Sequence, residues 1–187
     1  MKKFLLLFVM CSFLFLNGCT QNLSNIDIQK LNQKAAEYME AGEYEKAVAR
    51  LESSLDLNSN FPETYYNLGV AYFQLNDYEK SLEALNNAIA KKENFADAYY
   101  SRAVVYENWA YSIIEGENLA DSKKEKNKEQ ISKEDKNTSV EYLKNAKKDL
   151  EKYLELKKDA KDKDEVHEKI IQIENDLSNY DSENIED

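Results

Sequence analysis

Cysteine is nearly absent from this chain: Cys11 and Cys19 are the only two. Both lie near the amino terminus, which excludes a disulfide framework and any four-sulfur metal site. Histidine is scarcer still. His167 stands alone, beside Asp164 and Glu168, and reads as an exposed residue on a charged helix with no second histidine to share a metal. Four glycines cannot make a glycine-rich phosphate loop, and no serine or cysteine nucleophile motif occurs. The single proline, Pro62, leaves helix interiors unbroken. Positive charge is also in short supply. Lys and Arg number 25 against 36 Asp and Glu, a net charge of −11 that repels nucleic acid and anionic bilayers. The expectation is a protein that is not an enzyme, with no catalytic set, no metal, no cofactor and no nucleic-acid partner.

The amino terminus carries its own instruction. Lys2 and Lys3 precede an apolar run from Phe4 to Leu16, too short for a confident membrane span and of the kind removed as a signal peptide. It ends in Leu16-Asn17-Gly18-Cys19. That ending resembles the lipobox of bacterial lipoproteins. The resemblance implies cleavage of residues 1–18, a diacylglycerol on the Cys19 thiol, and residues 19–27 as a polar tether. The plainer reading is a secretory signal with an incidental cysteine. Lipidation places the protein in the cell envelope, at the outer membrane or cell surface if the bacterium has two membranes. Thr20, which is not aspartate, leans the same way, and the leaflet stays open.

From Ile28 the apolar residues recur at helical spacing, as in Leu31, Ala35, Tyr38 and Met39. The pattern then repeats at about 34 residues. Its clearest copy is Tyr65-Tyr66-Asn67-Leu68-Gly69-Val70-Ala71-Tyr72, followed after a turn by Tyr78-Glu79-Lys80-Ser81-Leu82. An earlier copy holds Ala35, Tyr38, Gly42, Tyr44 and Ala47, and a later one Tyr99, Tyr100, Ala103 and Tyr106. These residues resemble the tetratricopeptide repeat. The resemblance implies an all-α fold, a right-handed superhelix of about three helical hairpins plus a C-terminal capping helix over residues 28–178. The repeats fall at 28–61, 62–95 and 96–157, the capping helix at 164–178 and an acidic tail at 179–187.

Size patterning says how the hairpins close. Ala35, Gly69 and Ala103 hold equivalent places in the first helices, and Ala47 and Ser81 in the second helices. Small residues there let paired helices approach, while Tyr38, Tyr72 and Tyr106 fill the adjoining space with Leu51 and Leu85. Gly42 and Asn76 stand where a left-handed residue ends a helix, and Pro62 where a first turn tolerates it. The third copy departs from this. Its first helix overruns through Trp109 to Ile114, a charged insertion follows at about 115–138, and the second helix resumes at Ser139. The insertion reads as a solvated loop or helix extension, with a coiled arm or docking tail as the alternative. A last stripe of Val166, Ile170, Ile173 and Leu177 forms the cap, with Asp162 or Asp164 at its start.

In such a superhelix the first helices line a concave groove. Here that face is expected to show Asn32, Ala36 and Met39; Tyr66, Asn67, Val70, Phe73 and Gln74; and Tyr100, Ser101, Val104, Glu107 and Asn108. Carboxamides beside rings suit a peptide or a partner helix, although Tyr66 and Tyr100 equally suit packing between helices. Trp109 is read as packing, with a hot-spot role as the alternative. A known subfamily clamps a C-terminal carboxylate with lysines, an arginine and asparagines. Asn67 matches one of those asparagines, but Gln29, Asn32, Asp97 and Ser101 occupy the cationic places, which argues against binding chaperone tails. The expected function is a membrane-tethered protein-interaction adaptor of the bacterial envelope, binding a protein or peptide partner. The alternative is a surface-exposed lipoprotein touching a host or environmental molecule. Partner identity and oligomeric state are not legible.

Overall fold

The structure, a computed structural model, describes residues 26–115 and 132–183. Seven helices and no strand occur among them: α1 (residues 26–40), α2 (Tyr44–Leu57), α3 (Pro62–Gln74), α4 (Tyr78–Lys91), α5 (Ala96–Ile114), α6 (Lys133–Leu156) and α7 (Lys163–Glu183). The fold is the all-α superhelix of tetratricopeptide type. α3 packs on both α2 and α4, α5 on both α4 and α6, and α7 on α6.

The turns explain the hairpins. Gly42 takes φ 73° and Asn76 φ 59°, both left-handed. Behind Gly42, Glu43 N donates to Tyr38 O at 2.8 Å and Gly42 N to Met39 O at 3.0 Å. The same pair of bonds recurs at Asp77 to Tyr72 and Asn76 to Phe73, so α1 and α3 end in the same way. Asp77 then caps α4 by accepting from Lys80 N. One repeat later the turning position holds Ala110. Alanine favours the helix and disfavours a left-handed φ, so α5 runs on to Ile114.

Close approach is built in the second hairpin as its small residues require. A Cβ at Gly69 would stand 2.6 Å from Leu85 Cγ and 3.2 Å from Ser81 O. Ser81 Oγ donates to Gly69 O at 2.7 Å, so the contact is hydrogen-bonded as well as packed. Ala35, Ala47, Leu51 and Ala71 are fully buried around the first two hairpins. Ala103, Leu143, Ala146 and Leu150 fill the third, with Val166, Ile170 and Ile173 of α7 closing it.

Three boundaries differ from the sequence reading. α1 takes in residues 26 and 27, placed above in the tether. α6 begins at Lys133 instead of Ser139, because Ser132 accepts from Asp135 N at 3.0 Å and Glu134 and Asp135 favour a helix N-terminus. Residues 133–138 therefore belong to the helix, while 116–131 of the insertion lie outside the described residues. α7 continues to Glu183, past the stripe that ended at Leu177, with Tyr180 packed on the third core and Lys136 Nζ 5.6 Å from its ring centre. Asp162 does precede α7, accepting from Val166 N through its backbone, but its carboxylate takes the Tyr153 hydroxyl at 2.9 Å.

Candidate functional site: the face of α1, α3 and α5

The repeat spacing places corresponding residues of α1, α3 and α5 in the same register, so each repeat position becomes a row across the three helices. One row holds Gln33, Asn67 and Ser101, the next Ala36, Val70 and Val104, and the third Glu40, Gln74 and Asn108. Polar, apolar and polar rows thus lie side by side. All nine side chains are half-buried or exposed. Asn67, Gln74 and Ser101 make no hydrogen bond among the described residues, and Asn108 spends only Nδ2, on Val104 O at 2.8 Å.

Other expected groove residues are engaged elsewhere. Asn32 and the buried Thr64 hydroxyl bond reciprocally, at 3.0 and 3.2 Å, and lock α1 to α3. Met39 packs into the core of the first two hairpins. Tyr66 sits 5.1 Å from the Phe95 ring, and Tyr100 sits 5.2 Å from the ring of Tyr153 on α6. Both tyrosines remain half-buried, so each packs between elements and keeps one side open. Burial raises the Tyr100 phenol above its ordinary pKa; Lys169 opposes this, while Glu165 and Asp162 add to it. Phe73 begins a chain of ring contacts that passes through Tyr78, Trp109 and Tyr142 to Tyr106. Trp109 lies 4.7 Å from Tyr142, which is the packing role, across α5 and α6.

Three anions beside these rows are paired, while Glu40, within them, has no ion pair among the described residues. Glu63 meets Lys92 at 3.0 Å, Asp97 meets Lys157, and Glu107 meets Lys169 at 3.5 Å. The first two are the same contact made in successive hairpins.

Sequence reasoning missed one polar centre. Arg102 donates from Nε and Nη2 to the two oxygens of Asp149, at 2.7 and 2.8 Å, and from Nη1 to Asn86. The Asp149 side chain is 5% exposed. The Arg102 pKa is raised: burial works against the charge, and Asp149 overcomes it. Beside the pair opens a cleft of ≈ 580 Å³ between Tyr99, Tyr106, Asn145 and Lys152. In the second hairpin the corresponding cleft, between Tyr65, Tyr72, Lys80 and Asn87, measures ≈ 260 Å³ and has Leu68 and Ala84 in place of the ions. The only forewarning was a charged residue at a place where the neighbouring copy has leucine.

Other expectations meet fewer facts. Cys19 and the signal residues lie outside the described residues. His167 is exposed on α7. Among the described residues no helix is long and apolar enough to cross a membrane, and no group of acidic, histidine or cysteine side chains could hold a metal ion.

Two family models match, a TPR repeat over residues 35–76 and a tetratricopeptide repeat over residues 62–95. These are tetratricopeptide repeats. The matches end at residue 95, before the hairpin that carries the insertion. Solved tetratricopeptide domains share the fold. The first such domain of Spaghetti (RPAP3), bound to an HSP90 peptide, superposes with a TM-score of 0.59 at 20% identity, covering 81% of this chain and 94% of that one. The first domain of human RPAP3 gives 0.59 at 20%, covering 83% and 96%. An Arabidopsis OM64 domain gives 0.59 at 15%, covering 80% and 98%. Likeness at these identities is one of fold. No curated protein sequence matches this chain significantly.

Proposed function

We propose that this chain is a membrane-tethered adaptor of a bacterial cell envelope, gathering a partner protein by binding one of its peptides or helices on the face of α1, α3 and α5. The observation that carries this is the set of unpartnered polar side chains, Asn67, Gln74 and Ser101, flanking Val70 and Val104 on a face that no described element covers. A polar group without a protein partner on a repeat surface is solvated, and a ligand that replaces its water with a hydrogen bond offsets the desolvation cost. Tetratricopeptide domains of Spaghetti and of human RPAP3 are seen with HSP90 and HSP70 peptides, which supports a peptide as the kind of partner. The partner here is of another chemistry, since Asp97 and Ser101 stand where a carboxylate clamp needs cations.

The anchor is Cys19. The acidic chain has no electrostatic attraction for an anionic bilayer, so attachment depends on acyl chains, at about 0.8 kcal/mol per buried methylene. A photoreactive residue at Gln74 or Asn108 should crosslink one partner in cells, and the same residue at Glu83, outside these rows on α4, should not. Equal capture from both faces contradicts the groove. Cys19→Ala should leave the protein unprocessed or soluble; a processed form that still partitions into detergent contradicts the anchor.

A further inference from the structure

We propose that the cleft beside Arg102 and Asp149 binds a small organic acid, its carboxylate held by the cations and hydroxyls there and its flat apolar body laid against the rings of Tyr99 and Tyr106. The site is separate from the groove. Tyr99, Arg102 and Tyr106 follow one another at i, i+3 and i+7 on α5, while Ser101, Val104 and Asn108 run down the other side of that helix.

Size and chemistry both single out this cleft. Small-ligand pockets run from about 300 to about 1,000 Å³. At ≈ 580 Å³ it falls inside that range, and its counterpart in the second hairpin, at ≈ 260 Å³, falls below. In that smaller cleft Leu68 and Ala84 offer no side-chain hydrogen bond, and the Tyr72 hydroxyl is spent on Glu52 at 2.8 Å. In the larger one the hydroxyls of Tyr99 and Tyr106, the Asn145 carboxamide and the Lys148 ammonium make no hydrogen bond among the described residues. Arg102 adds to them: its bonds to Asp149 and Asn86 leave one N–H on each terminal nitrogen.

Donors predominate among these groups, and a carboxylate only accepts. Burial first, then Asp149 and Glu141 against Arg102, holds the Tyr106 phenol above its ordinary pKa, so it keeps its proton to donate. Depth sorts the charges in the same sense. The side chains of Arg102 and Lys152 are 18% and 35% exposed, those of Glu151 and Glu155 56% and 66%. The glutamates thus stand at the rim, where water screens them. Asp149, the buried anion, already has both oxygens on Arg102. Lys152 meets Glu155 at 2.8 Å in an exposed pair, a partner it can exchange for a ligand carboxylate at small cost. The half-buried rings of Tyr99 and Tyr106 then supply what a bare inorganic anion does not use, an apolar surface for a flat body.

The test is titration of the full chain with benzoate, phenylacetate and indole-3-acetate, followed by calorimetry and ligand-observed NMR. At least one should saturate a single site with a dissociation constant of about 1 mM or below, as suits so few atoms. Its neutral amide and inorganic phosphate should each bind at least about tenfold more weakly. Tyr99→Leu and Lys152→Gln should each weaken binding about threefold or more. Arg102→Leu with Asp149→Ala, which gives this cleft the floor of the smaller one, should weaken it about tenfold with the helical signal unchanged. Saturation by none of the three acids overturns the proposal. An amide that binds as well removes the carboxylate, and phosphate that binds as well removes the apolar body. An acetylated Glu-Phe dipeptide amide that binds more tightly than every free acid makes the cleft a protein contact instead. Binding indifferent to both Tyr99→Leu and Lys152→Gln puts the acid elsewhere on the chain.

Discussion

The second and third hairpins are built on one plan and hold together by different physics. At the same repeat positions the second has Leu68 and Ala84, the third Arg102 and Asp149. The apolar pair adds to the core with Ala47 and Leu51 of α2. The ionic pair reaches back instead to Asn86 of α4. Two features around it are kept: Leu85 and Leu150 are both buried, and the Glu63–Lys92 contact has its counterpart in Asp97–Lys157. In the first hairpin the same place holds Lys34, half-exposed and bridged to Glu37, with no described helix before α1 to pack on it. The lesson is that this position must be satisfied according to its neighbour, and that leucine is one of several ways. Burial also makes the ionic solution brittle, since each ion depends on the other.

Breaking that pair has the largest expected effect. Asp149→Ala leaves a largely buried guanidinium unpaired and should cost about 3 kcal/mol or more in thermal unfolding. Arg102→Leu together with Asp149→Ala writes the second hairpin's solution into the third, and should lie within about 1 kcal/mol of the parent or above it. A double variant as unstable as the single one means that the two hairpins are not interchangeable here.

Next comes the helix contact. Gly69→Leu should lose ~1–3 kcal/mol or more by overpacking against Leu85 and Ser81, whereas helix propensity alone predicts a gain of up to ~1 kcal/mol. Ala103, its counterpart, already carries a Cβ, so a raised melting temperature for Gly69→Leu contradicts the tighter contact in the second hairpin.

The turns sharpen the same contrast with a smaller effect. Gly42→Ala meets nothing within 4 Å, so its cost comes only from the left-handed φ, about 1–2 kcal/mol. Ala110→Gly, at the overrun, should cost about 1 kcal/mol by helix propensity in place of gaining a turn. Calorimetry on both variants compares them.

The smallest effect is alkaline. Burial, then a hydrogen bond to Glu52, pushes the Tyr72 hydroxyl up to about 12, and burial with Asp162 does the same for Tyr153. A raised folded pKa means stability present below pH of about 10 and lost as pH climbs through about 12. Tyr153→Phe should flatten that decline where α7 meets α6, and Tyr72→Phe where α3 meets α2. An unchanged slope in both melting profiles removes these bonds from the account.

Much of the fold was legible in the sequence because its determinants are local. The left-handed places at Gly42 and Asn76, the helix-starting Pro62, the small residues Gly69 and Ser81 where paired helices approach, and the α7 stripe all follow from spacing along a few turns. The groove was legible only as a face. Which of its residues are free was not, since Asn32 is engaged by Thr64, |i−j| = 32 away, and Tyr100 by Tyr153.

By itself, then, the sequence determined the repeat, the hairpin turns and the overrun at Ala110, because helix periodicity and backbone preference act within one or two turns. Tertiary structure alone decided that Arg102 would meet Asp149, with |i−j| = 47 and the insertion between them, and that α7 would set Lys169 against Glu107. A charge in a sequence says only that it needs water or a partner. Which of the two it receives depends on what the stacked helices bring to it, and stacking joins residues that no local pattern connects.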